Sequence, residues 1–138
     1  MHIFYPVVAM VALTAVAIFR LGYLRFNGVR NRQVDPRFYR TYQGEGEPEA
    51  IAVVSRHVVN LFETPVLFYV GVIVAYLSGQ TGVLITALAW IYVAARATHS
   101  FIHLTRNTVL WRFRVFIFSW IVLLSMWILI AIGLLRAT

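Results

Sequence analysis

Three polar residues stand at helical spacing within an otherwise apolar stretch of the chain. Asn60 follows Arg56 by four positions, and Glu63 follows Asn60 by three. Because an α-helix turns once every 3.6 residues, the three side chains share one face. A carboxylate such as Glu63 in apolar surroundings needs a cation or a proton, and Arg56 lies two turns away. The spacing therefore predicts that another helix supplies a cation to this face.

A second polar set repeats this spacing further along the chain. His99 follows Arg96 by three positions, His103 follows His99 by four, and Arg112 begins the next apolar stretch. Guanidinium groups bind anions, and imidazole groups carry protons near neutral pH. Charged groups within apolar spans mark functional sites by default. We therefore expect both sets to converge on one polar cavity inside a helical bundle, open to the cytosol.

Two other interpretations of these residues stay open at the level of the sequence. Arg56, Glu63 and Arg96 suit a purely structural ion-pair network that holds helices in register. His99 and His103, one helical turn apart, suit a metal pair with Glu63 as third ligand. The chain lacks a strong metal-binding motif such as HExxH, so we expect no metal.

The composition indicates a membrane protein. Of the 138 residues, 61% are hydrophobic and 12% are charged, whereas soluble domains carry about 25% charged residues. Too few polar side chains remain to cover a water-facing surface, which excludes a soluble globular enzyme. Because the chain has no cysteine, disulfides, cysteine-ligated metals and a thiol nucleophile from the protein are excluded as well.

Four stretches are long and apolar enough to cross a bilayer, which takes roughly 20 residues. The turn-forming sequence SGQTG at 78–82 separates the second stretch from the third. We predict an all-α integral membrane protein, folded as a single antiparallel four-helix transmembrane bundle over residues 1–138. The predicted helices are 3–24, 51–77, 83–104 and 112–135, with a cytosolic loop over 25–50.

The arginines indicate the orientation of the bundle. Five of them fall within 25–50, and three more lie in or just after the connection 105–111, whereas the opposite side has only Arg136. Cytoplasmic loops carry an excess of basic residues. Both connections are therefore expected in the cytosol and both termini outside, in a bacterial inner membrane. Arginines gathered at the ends of spans do not favour nucleic-acid binding.

Residues 56–65, RHVVNLFETP, resemble the second-helix signature of the MAPEG family, the membrane-associated proteins in eicosanoid and glutathione metabolism. Residues 96–100, RATHS, and the later Arg112 resemble that family's third- and fourth-helix elements. The resemblance covers about residues 5–135. It implies a four-helix bundle that assembles as a homotrimer, with glutathione bound as co-substrate in clefts between subunits near the cytosolic face.

The resemblance also implies roles for individual residues. Glu63 would hold the amino group of glutathione, and Arg112 would stabilise its thiolate. His103 stands where glutathione-using eukaryotic members often carry a tyrosine. The residues implied to bind glutathione are Arg56, Asn60, Glu63, Arg96, His99 and His103.

The leading functional hypothesis is a membrane-bound glutathione transferase or peroxidase-like protein. It would activate the glutathione thiol against lipophilic electrophiles or hydroperoxides that arrive from the lipid bilayer. The alternative is a non-catalytic scaffold or lipid-binding protein of the same family, which keeps its buried polar groups for assembly. A small transporter is disfavoured, because no span is broken by paired glycines or prolines.

Overall fold

The computed structural model describes residues 2–44 and 46–137, and within these ranges it contains helices and no strands. Four spans are long and apolar enough to cross a membrane: His2–Arg30, Glu49–Leu77, Val83–Leu104 and Val109–Arg136. The α-helices in chain order are α1 Tyr5–Arg30, α2 Phe38–Thr41, α3 Glu49–Glu63, α4 Pro65–Leu77, α5 Val83–Leu104 and α6 Val109–Ala137.

Two helix ends differ by three residues or more from the boundaries predicted from the sequence. The first helix continues six residues beyond the predicted end, to Arg30, because long basic side chains at a span end reach the aqueous interface without ending the helix. The last helix starts at Val109, before the predicted residue 112. There the amide of Arg112 donates to the carbonyl of Thr108 at 3.0 Å, which extends the helical turn backwards.

The second span is two consecutive helices and not the single helix predicted over 51–77. Pro65 occupies the first turn of α4, and proline has no amide hydrogen to continue the hydrogen-bond ladder of α3. Thr64 covers the break, because its amide and its hydroxyl both donate to the carbonyl of Asn60, at 3.3 and 3.0 Å. The interruption therefore falls directly after Glu63, at the end of the polar face of α3.

The apolar core lies between the spans, in the half of the bundle away from the connection 31–48. The rings of Phe68 and Tyr92 stack at 4.6 Å between centroids. Met10, Met126 and Ile130 pack in the same fully buried cluster. This core joins all four spans, and in the other half of the bundle polar groups lie beside a smaller apolar cluster around Leu21 and Val54. We call that half the loop end, since it carries the connections 31–48 and 105–108.

The connection 31–48 is attached to the loop end by an ion pair. Arg25 Nε donates to Glu47 Oε1 at 2.7 Å, and Ser55 Oγ donates to Glu47 Oε2 at 2.6 Å. The Arg25 guanidinium also lies over the ring of Tyr39, 5.0 Å from its centroid. Burial raises the pKa of Tyr39, and the nearby Glu47 carboxylate raises it further. This contact brings α1, α3 and the connection together.

Close packing of α4 against α6 yields a prediction about stability. A Cβ at Gly71 would lie 2.7 Å from Met126 Cε and 3.3 Å from the Trp127 ring, whereas a Cβ at Gly22 would meet nothing within 4 Å. Gly71→Leu should lower the free energy of unfolding by about 1–3 kcal/mol relative to Gly22→Leu, through overpacking. Unfolding in mixed detergent measures the difference. Equal stability of the two variants would contradict this close approach.

Candidate functional site

A cavity of about 300 Å³ opens at the loop end between α3, α5 and α6. Its volume is at the lower end of the range of small-molecule sites. Two arginines, two histidines and one asparagine form its polar side, and apolar residues at the start of α6 form the other. The lining residues are Arg56, Asn60, His99, His103, Val109, Arg112, Phe113 and Phe116.

The structure brings five of the seven residues singled out from the sequence to the lining of this cavity. Arg56 and Asn60 come from α3, His99 and His103 from α5, and Arg112 from α6. None of the lining residues is an acid, so the cavity is suited electrostatically to an anion. This arrangement arises because α3 and α6 begin, and α5 ends, at the loop end.

Arg96 lies about one turn deeper than His99 and has no exposed surface. One of its terminal nitrogens donates to Asn60 Oδ1 at 2.5 Å and to the Asn60 carbonyl at 3.4 Å. Its Nε and its other terminal nitrogen have no hydrogen-bond partner. Because a buried guanidinium without partners is costly, Asn60 is the residue that permits Arg96 to lie between the helices.

Arg112 is oriented by the connection that precedes it. Its NH1 donates to Asn107 Oδ1 at 2.7 Å and lies 3.4 Å from His103 Nε2. A guanidinium has donors and no acceptor, so a hydrogen bond between these groups requires a lone pair on Nε2. The geometry therefore favours the His103 tautomer that carries its proton on Nδ1.

His57 is a residue of this region that the sequence reasoning missed. It is completely buried, and its ring centroid lies 5.0 Å from that of His103 and 6.2 Å from that of His99. The sequence contained a signal for its burial, because Val54, His57 and Leu61 follow the three-and-four spacing of the buried stripe of α3.

Within the described part of the chain, no group of three potential ligands has an arrangement that could hold a metal ion.

Glu63 does not take the position expected from the sequence. It shares a helical face with Arg56 and Asn60, which line the cavity, but Glu63 itself is exposed and does not line it. The physical reason is the buried stripe through His57, which leaves Glu63 on the outer side of α3. Within a single chain Glu63 therefore does not border this cavity, and its role at the site stays a prediction.

A second cavity of about 370 Å³ lies beside the first at the loop end. It is bounded by the ends of α1, α3 and α5 and carries both a base and an acid, Arg20 and Glu49. His103 is a lining residue of both cavities. The residues that line the second cavity are Arg20, Glu49, Ala50, Val53, Val54, His103, Leu104, Thr105 and Asn107.

The fold and the cavity define a four-span membrane protein with a pocket lined by arginines and histidines at one end of the bundle. The model of the MAPEG family matches residues 3–132, which is nearly the whole chain, and this protein belongs to that family. It is accordingly a multi-pass membrane protein of the family associated with glutathione and eicosanoid metabolism. Neither the curated proteins nor the solved structures yield a match to this chain.

The dependence of Arg96 on Asn60 can be tested by substitution. Asn60→Leu keeps a similar volume but removes the acceptor, and the unfolding free energy should fall by about 3 kcal/mol, as expected when a buried charge loses its partner. Asn60→Asp retains an oxygen acceptor and should lose much less. Detergent unfolding of both variants measures the effect. Equal losses would show that the hydrogen bond to Arg96 does not matter.

Proposed function

We propose that this protein is a membrane-bound glutathione transferase or peroxidase-like enzyme. The observation that carries the proposal is the cavity in which Arg112 lies beside Arg56, His99 and His103 with no acid among the lining residues. Such a cavity complements an anionic thiol compound. Family membership supports glutathione as that compound.

The chemistry of the donors fits glutathione, which carries two carboxylates, one ammonium group and one thiol. The guanidinium of Arg56 is available for a carboxylate, and Asn60 offers an amide beside it. Buried nitrogen atoms of Arg96 and His99 lack hydrogen-bond partners, so polar capacity remains next to the cavity. Arg56, Asn60, Glu63, Arg96, His99 and His103 would bind glutathione, and Arg112 would act on its sulfur.

Arg112 would act by stabilising negative charge on the thiol sulfur. A guanidinium close to a thiol lowers the thiol pKa and raises the thiolate fraction at neutral pH. The thiolate attacks an electrophilic carbon, a carbon–sulfur bond forms, and the leaving group departs with its electron pair. With a hydroperoxide, sulfur attacks the outer oxygen, the oxygen–oxygen bond breaks and the alcohol leaves after protonation. A second glutathione thiol then attacks the resulting sulfenic acid, which forms the disulfide and releases water.

The apolar wall of the cavity supports a lipophilic second substrate. Val109 and Phe113 are exposed on the surface of α6 that would face the bilayer, and Phe116 lies deeper. A substrate dissolved in the membrane could therefore approach the thiolate laterally without crossing water. Because the thiol comes from the aqueous side and the electrophile from the lipid, the loop end suits a reaction between compounds of opposite solubility.

We further propose that the protein assembles as a homotrimer in a bacterial inner membrane, with the loop end in the cytosol. The arginine-rich connections support that orientation. Glu63 supports assembly, because an exposed carboxylate on a membrane span is costly unless it has a polar partner. In the trimer it would lie at a cleft between copies and hold the ammonium group of glutathione.

Removal of the Arg112 guanidinium tests the proposed chemistry. Titration of the wild-type protein in detergent with glutathione should produce thiolate absorbance near neutral pH. Arg112→Ala should lower the thiolate fraction about tenfold or more, since a neighbouring cation shifts a pKa by roughly 1–3 units, and transferase activity should fall with it.

Arg114→Ala is the matched control. Arg114 is exposed, lies over the ring of Trp111 with 5.2 Å to the centroid, and does not line the cavity. This variant should behave like the wild type. Absence of glutathione binding to the wild type at millimolar concentrations would reject the proposed function.

Substitution of Glu63 separates the enzyme from the alternative, a non-catalytic scaffold or lipid-binding protein. Glu63→Gln should weaken glutathione binding about tenfold, the cost of roughly 1.4 kcal/mol, while the trimer stays intact by native mass spectrometry. Asp35→Asn, on the exposed connection, should change neither. A Glu63→Gln protein that dissociates, together with a wild type that binds no glutathione, would favour the scaffold.

A further inference from the structure

His103 stands between two neighbouring cavities of the loop end. It lines the arginine-rich cavity together with Arg112, and it lines the neighbouring cavity together with Arg20 and Glu49. No other residue lines both of these cavities among those that border them. The titratable ring of His103 therefore separates the cavity in which a thiol would ionise from a second cavity at the loop end.

Ionisation of a thiol releases a proton, and the residues beside the sulfur site limit where that proton can go. The guanidinium groups of Arg56 and Arg112 are already protonated and cannot accept it. Asn60 has no basic nitrogen. Of the polar residues that line the first cavity, only His99 and His103 carry a basic atom, and only His103 also borders the second cavity.

The hydrogen bonding of His103 suits a proton acceptor. Its Nε2 lies 3.4 Å from Arg112 NH1, a long contact that Arg112 gives up when its guanidinium turns to the sulfur, and the Nε2 lone pair is then free to accept a proton. Its Nδ1 is buried and has no hydrogen-bond partner among the described residues. In a purely structural histidine, a carboxylate or carbonyl would accept a hydrogen bond from Nδ1 and fix the ring. Among the described residues, no such acceptor fixes the ring of His103.

We propose that His103 accepts the thiol proton of glutathione and passes it to water in the cavity bordered by Arg20 and Glu49. This inference rests on the proposed glutathione function. The sulfur–hydrogen bond breaks, its electron pair stays on sulfur, and a nitrogen–hydrogen bond forms on Nε2. The imidazolium ring, which no hydrogen bond from Nδ1 holds in place, then turns toward the second cavity and loses one proton to water there. One proton reaches the cytosolic side for each thiolate formed.

The groups around His103 favour rapid release of that proton. Arg112 faces it from α6, Arg56 and His57 from α3, and Arg96 and His99 from its own helix, while Arg20 approaches from α1. These neighbours are cationic or neutral, and they repel a positive charge on the ring. Glu49 is the acidic residue that lines a cavity together with His103. It lies in the second cavity, on the side where the proton would leave.

Rapid mixing of the wild-type trimer with glutathione tests the route. Thiolate absorbance and a pH-indicator dye should report thiolate formation and proton release at the same rate. His103→Gln keeps an acceptor for Arg112 but cannot carry a proton. It should slow thiolate formation about a hundredfold at saturating glutathione, within the usual contribution of a general base, and added imidazole should restore the rate. Titration measures any loss of glutathione affinity separately, and added imidazole should not restore that loss.

Two further variants complete the test. His2→Gln, at the opposite end of the bundle, should react like the wild type. Ala50→Phe introduces a bulky ring from an exposed position into the second cavity, and it should slow proton release without weakening glutathione binding.

A His103→Gln protein that forms thiolate at the wild-type rate, or an Ala50→Phe protein that releases protons at the wild-type rate, would overturn the route. A wild-type protein that binds no glutathione would instead reject the proposed function, on which this route depends.

Discussion

A guanidinium group without any exposed surface is the constraint around which the loop end is organised. Arg96 can lie between the helices because Asn60 supplies both an amide oxygen and a main-chain oxygen. That main-chain oxygen also accepts from Thr64, next to the break before Pro65. The break in the second span and the buried charge are therefore connected through the main-chain oxygen of one residue.

The larger apolar cluster lies in one half of the bundle, whereas the buried arginine and histidine side chains lie in the other half beside a smaller apolar cluster. Close-packed side chains around Phe68 and Tyr92 hold the spans together in one half, so the other half can accept cavities and unpaired nitrogen atoms. Three imidazole rings within 5.0–6.2 Å of one another occupy that polar half. A functional site can tolerate such incompletely satisfied groups because the packed half provides the stability.

Two solvents meet at the loop end, and the arrangement of residues reflects both. Exposed Arg20 and Glu49 lie on one side of the site, near the connection attached through Arg25 and Glu47. The exposed apolar side chains Val109 and Phe113 lie on α6 and would face lipid under the proposed orientation. His103 stands between the cavity that would hold a thiolate and the opening toward water. A lipophilic substrate would thus arrive on one side of the site, and a proton would leave on the other side.

The sequence alone determined the membrane class, the four spans and the family, because hydropathy and the spacing of charges within apolar runs are local properties. It also identified five residues that line the cavity, since helical periodicity assigns side chains to a face. It could not determine which face of α3 is buried. Packing against α5 buries His57 and leaves Glu63 outside, because that choice depends on contacts between spans far apart in sequence. The position of His103 between two cavities likewise exists only after the ends of α1, α3, α5 and α6 have come together.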